Sequence, residues 1–130
     1  MFEPLRYDSG KVKTLQSANS ATISKGDALV FNSSGYLKLA SSSDGDIPFV
    51  ALEDADTGSS EHLDVKVVYT DGVEFEADDN AGATQSDVGL VVDLNDEETL
   101  DTGTSANNEA FRVTDLVSAS DDVVKGYFTL

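Results

Sequence analysis

The chain contains no cysteine, no tryptophan and only two prolines in 130 residues. Without thiols there is no disulfide framework, no thiolate nucleophile and no zinc–thiolate centre. Cations are scarce as well: 8 Lys and Arg stand against 25 Asp and Glu, a formal net charge of −17. A surface this acidic repels phosphate, which argues against direct nucleic-acid binding and against docking on an anionic membrane. No run approaches the roughly 18 apolar residues of a membrane span. The opening Met-Phe-Glu-Pro-Leu-Arg-Tyr-Asp lacks the basic stretch and apolar core of a signal peptide. A soluble protein is expected. The acidity also suits a high-salt habitat, although Lys outnumbers Arg.

What is present is a length suited to one domain, large enough to bury a core without staples. The charge is uneven. Residues 1–25 carry Arg6, Lys11, Lys13 and Lys25 against Glu3 and Asp8, a net of +2, whereas residues 26–130 sum to −19. With the small, polar stretch Ser17-Ala18-Asn19-Ser20-Ala21, this reads as an extended docking arm, residues 1–21, leading an acidic body, residues 22–130. The alternative is an ordinary first strand with Lys11 and Lys13 in solvent and Val12 and Leu15 turned inward.

Apolar residues fall in short or alternating runs between turn residues, the pattern of strands. Ala28–Asn32 and Tyr36–Ala40, joined through Ser33-Ser34-Gly35, read as a hairpin with Gly35 at positive φ. Ile47–Leu52 is a third strand, with Pro48 at its start or on an edge. Leu63–Tyr69 and Val73–Ala77 alternate around Thr70-Asp71-Gly72 and predict a second hairpin. Val88–Leu94 reads as a strand buried on both faces, and Phe111–Val113 and Val123–Leu130 complete about eight strands. The only helical candidates are short, near Asp78–Thr84 and Ser118–Asp122. An all-β protein is expected, a small sandwich or barrel with an extended N-terminal arm.

Signals for chemistry are weak. The single histidine, His62, stands beside turn residues, and there is no Gly-x-Ser-x-Gly elbow, phosphate loop or His-Glu-x-x-His. No catalytic residue and no cofactor are expected. Asp54–Glu61 and Asp93–Glu98 resemble fragments of calcium loops, but neither has the Gly at position 6 and Glu at position 12 that such loops use. No dedicated metal site is expected. Asn32-Ser33-Ser34 fits a glycosylation acceptor, yet its place in a tight loop makes Asn32 a turn residue.

The order of segments from Thr22 to Ala77 carries a resemblance. Ile23-Ser24-Lys25-Gly26-Asp27-Ala28-Leu29-Val30 places a Lys-Gly-Asp turn before an apolar strand. Tyr36–Ala40, Phe49–Ala55, Leu63–Tyr69 and Asp71–Phe75 follow in turn, with Gln85–Gly89 and Val123–Thr129 extending the similarity. This layout resembles the capsid decoration, or cement, proteins of tailed viruses, including lambda-type head decoration proteins. The resemblance implies a non-catalytic virion protein on the outer capsid surface, binding the major capsid protein and commonly forming a homo-trimer at local three-fold positions. It also implies an arm that adds main-chain hydrogen bonds to an exposed capsid strand. In that scheme the arm's own chemistry assigns Arg6, Lys11 and Lys13 to shell contacts and Phe2, Leu5 and Tyr7 to apolar anchoring. The rival readings are another virion or surface-layer structural protein, such as a tail-tube subunit, and a carbohydrate-binding β-sandwich.

Overall fold

The computed structural model describes residues 1–58 and 61–130. Within them the chain forms β1 (Phe2–Pro4), β2 (Val12–Gln16), β3 (Thr22–Ile23), β4 (Ala28–Phe31), β5 (Leu37–Leu39), β6 (Phe49–Ala51), β7 (Ala55–Asp56), β8 (Asp64–Tyr69), β9 (Phe75–Asp79), β10 (Val91–Leu94), β11 (Thr99–Asp101), β12 (Phe111–Ser118) and β13 (Val123–Phe128). Two 3-10 turns, Ser9–Lys11 and Gln85–Asp87, are the only helical pieces among the described residues. The protein is all-β, as expected. The strands outnumber the expected eight because several are only two or three residues long.

One sheet closes on itself. Its strands run β9–β11–β10–β12–β13, and β13 returns to pair with β9, giving a five-stranded barrel. β1 lies antiparallel along the first half of the β9 edge that β11 occupies further on. The alternation of β9, β12 and β13 sends Phe75, Ala77, Phe111, Val113, Val124 and Phe128 into the interior, where all are buried. Gly126 is needed by close approach: a Cβ there would stand 1.9 Å from the Arg112 oxygen and 2.6 Å from the Phe111 ring.

The second sheet, β2–β8–β6–β4–β5, curls until Ser17 bridges Leu37, and the Ala18 N–H donates to the Leu37 oxygen at 2.7 Å. It is apolar on both faces. Leu29, Phe49, Ala51, Val65 and Val67 form an inner cluster with Ile23 and Leu37, while Ala28, Val30, Val50 and Val68 pack against the barrel core. Double burial explains why Ala28–Phe31 and Phe49–Ala51 read as unbroken apolar runs rather than alternating ones.

The expected β4–β5 hairpin is present, pairing Leu29 with Leu39 and Phe31 with Leu37, with Gly35 at φ +83° and the Asn32 side chain accepting from the Ser34 and Tyr36 N–H groups. The second expected hairpin is not. β8 belongs to the second sheet and β9 to the barrel, so Thr70–Glu74 carries the chain from one sheet to the other. Thr70 is fully buried at the crossing, donating its N–H to the Pro48 oxygen at 2.9 Å and its hydroxyl to the Ile47 oxygen at 2.6 Å. These long-range bonds fix the exit direction and prevent β9 from folding back on β8. Val88–Leu90 is likewise a turn rather than strand, and Ser118–Asp122 connects β12 to β13.

The leading segment is extended but not free. Phe2–Pro4 pairs with Phe75–Ala77, and Val12–Gln16 pairs with Asp64–Val68. Phe2 is fully buried against Phe111 and Phe128, with ring centroids 6.2 and 5.1 Å away. The expected apolar anchor Phe2 is instead part of the core, a burial worth about 2–3 kcal/mol that takes it out of reach of a partner.

Candidate functional site

The remaining arm residues lie on the surface, and the strand register decides which of them meet. Leu5 continues the pairing of β1, donating its N–H to the Glu74 oxygen at 2.9 Å. Outward positions on neighbouring strands then line up: Glu3 opposite Glu76, and Glu76 opposite Lys125. At this end of the barrel Leu5, Arg6, Gly72, Glu74, Lys125 and Tyr127 line a groove of about 540 Å³. Lys11 borders the same crossing turn, donating to the Asp71 oxygen at 2.7 Å with its ammonium 5.4 Å above the Tyr69 ring.

Leu5, Arg6 and Lys11 are therefore brought together around Asp71–Gly72. Tyr7 points elsewhere, into a small recess with Pro4, Lys25, Gly26 and Leu52. Lys13 stands on exposed β2, opposite Val67. Sequence reasoning missed Lys125 and Tyr127, which complete the groove from β13. The signal was available: Tyr127 alternates with inward Phe128, so an exposed aromatic had to appear on that strand's outer face.

Electrostatically these cations are not neutralised by carboxylates. Among the described residues the only ion pair joins the Met1 amino group to Asp78 at 2.9 Å, so Arg6, Lys11, Lys13 and Lys125 have no carboxylate at pairing distance. Several carboxylates are instead consumed by loops. Asp93, nearly buried, accepts from the N–H groups of Asn107, Asn108 and Glu109 at 2.9, 2.8 and 2.7 Å. Burial alone raises its pKa; these three donors outweigh that and hold it below the usual carboxylate value. Asp96 is lowered in the same way: burial is opposed by the Glu98 N–H and by the hydroxyl and N–H of Thr99. Asp79 fastens Ala81 and Thr102. In the Asp93–Glu98 segment, then, Asp93 fastens the distant loop at residues 107–109 and Asp96 its own turn. The first calcium-like segment, Asp54–Glu61, includes Ser59 and Ser60, which lie outside the described residues.

Among the described residues His62 pairs with a backbone carbonyl. Its Nδ1 lies 2.8 Å from the Ser17 carbonyl oxygen, and its ring stacks on Tyr36 with centroids 3.8 Å apart and an 8° tilt. The Ser17 hydroxyl oxygen accepts from the Leu63 N–H at 3.3 Å. This trio fastens the seam where the second sheet closes. No helix among the described residues is long and apolar enough to cross a membrane. No protein-family model matches the chain, and no curated protein matches it. The groove's chemistry is mixed, with the Arg6 and Lys125 cations and the Glu74 carboxylate beside an exposed leucine and tyrosine.

Proposed function

We propose that this protein decorates the outer surface of an assembled icosahedral capsid, bridging major capsid protein subunits and stabilising the shell without catalysis. The observation that carries this reading is the leading segment. It presents Leu5, Arg6 and Lys11 beside Lys125 and Tyr127 on a body whose other surfaces are dominated by carboxylates. The segmental resemblance from Thr22 to Ala77 supports the same role. A shell packed with DNA is under outward pressure, and a clamp across a seam adds interface that must break before the seam opens. An interface of standard size buries about 1,600 Å², and symmetry copies multiply a modest affinity. In this scheme the protein sits as a trimer at local three-fold positions with its acidic faces toward solvent, where repulsion between virions limits clumping.

The carbohydrate-binding alternative gains little from the surface aromatics. Tyr7, Phe31 and Tyr127 are each about 40% exposed, but they sit in separate surroundings rather than on one platform. The reading is tested by mixing the purified protein with expanded, undecorated capsids. Saturable, stoichiometric binding and a raised disruption temperature are expected; absence of binding to any form of the host shell rejects it.

A further inference from the structure

The second sheet ends on β2, and that edge is uncovered. Ser17 donates its N–H to the Leu63 oxygen at 2.9 Å, so the β2–β8 register turns the main-chain groups of Lys13, Leu15 and Ser17 toward β8. The N–H and C=O of Thr14 and the N–H of Gln16 therefore point away from the sheet. The flanking positions are closed, since the Val12 N–H donates to the Ser9 oxygen and the Ala18 N–H to the Leu37 oxygen. Between them lies a short stretch of exposed strand with no neighbouring strand among the described residues, and Lys13, Thr14 and Gln16 are all solvent-exposed. The other terminal strands of the two larger sheets differ. β1 is covered on its outer edge, where the Phe2 N–H donates to the Gly26 oxygen at 2.9 Å, and β5 is three residues long with Leu37 already bridged by Ser17.

The charge along this stretch of sequence is also distinctive, although Asp64 of β8 stands opposite Gln16. Residues 9–26 contain no Asp or Glu, although the chain has 25, and they hold Lys11, Lys13 and Lys25. We infer that β2 is an acceptor edge: an extended, carboxylate-bearing segment of the shell subunit adds to it as a further strand, its carboxylates meeting Lys11 and Lys13. The inference rests on the decoration reading and deepens it by naming the partner segment's chemistry. It also reverses the expected direction of strand addition. The leading segment is not an unfolded arm that reaches out but a preformed template, so docking orders only the partner. A second copy of this chain is the poorer occupant, because self-pairing of β2 would bring like lysines together and press two bodies of net charge −17 against each other.

The test uses the whole protein with expanded, undecorated shells, read by amide hydrogen exchange and by sedimentation binding. The Thr14 and Gln16 amides should exchange freely in solution and slow by about 100-fold or more on the shell. Thr14→Pro removes the outward N–H at a position where an edge strand tolerates proline, and should weaken binding by about tenfold or more. Lys13→Glu should weaken it by about threefold or more, with a smaller salt dependence. If wild type binds shells while both amides stay unprotected, the edge inference is overturned and the decoration reading stands. If wild type binds no shell, both fall. Protection of the amides by self-association without shells, lost in the proline variant, would assign the edge to a second copy and overturn the inference. Should Thr14→Pro fail to fold, wild-type exchange and Lys13→Glu still decide.

Discussion

Replacing Asp27 with Asn should stabilise the protein at neutral pH. Asp27 lies in the Ser24–Asp27 turn between the two sheets and is only 3% exposed, with its carboxylate accepting from the Ser24 N–H at 2.8 Å. Burial pushes its pKa up to about 6 from 3.8; the Ser24 donor pulls the other way, Glu98 and Glu97 push it further up, and the Met1 amino group lowers it slightly. The sign follows from proton counting. Between pH 4 and 6 the folded state holds a proton that the unfolded state has released, so stability falls as pH rises through that window. Above pH 6 the cost is fully present, and a shift of about two units corresponds to about 3 kcal/mol. Asn keeps an oxygen for Ser24 and carries no charge to desolvate. Urea unfolding at constant ionic strength should therefore show the variant about 2–3 kcal/mol more stable at pH 7.5, with the gap shrinking toward zero near pH 4. Comparing the two proteins at each pH removes the general effect of acid on so negative a chain. A variant equal to or weaker than wild type at pH 7.5, with a gap indifferent to pH, would refute the reasoning.

Other outcomes follow from the same contacts. Phe2→Ala should cost about 3–5 kcal/mol in chemical unfolding, the loss of a core aromatic; a cost below about 0.5 kcal/mol would mean the leading segment is detached in solution. Asp93→Ala should cost about 2–4 kcal/mol and speed amide exchange at residues 107–109. Because Asp93 ionises more easily when folded, its contribution is complete above the unfolded pKa and fades as pH falls below about 4 through the folded value, so wild type and variant should converge in acid. Added NaCl should raise the melting temperature steadily, since 25 acidic groups face 8 cations and the only ion pair among the described residues is at Met1. A flat salt response would show that the repulsion is relieved in some other way.

The fold class was legible because alternation is a local property. Leu63–Tyr69 and Phe75–Asp79 place valines, phenylalanine and alanine inward whichever sheet they join. Pairing was legible only where a turn enforced it, as the Asn32 side chain and Gly35 do for β4 and β5. At Thr70–Glu74 the same kind of turn serves a crossing, and what decides the outcome is Thr70 reaching Ile47 and Pro48, a contact between distant segments. The candidate site shows the same division. Arg6 and Lys11 stood out by charge in a chain poor in cations, and Leu5 by its place among them. Lys125 and Tyr127 joined them only because β13 and β1 both border β9. Phe2 misled because a hydrophobic residue near a terminus reads equally well as an anchor or as core, and only the barrel it enters distinguishes them.

The edge of β9 is shared: β1 lies on one half and β11 on the other, while β13 closes the far side. β1, far ahead of β9 in sequence, therefore has nowhere to settle until β9 is in place. Its berth is complete only when β13 arrives to close the ring. Such distant closures are entropically slow to form, so the second sheet should assemble ahead of the barrel. Phe2 would be among the last side chains to leave water, a seal set at the end of folding by a segment far upstream of the strands it joins.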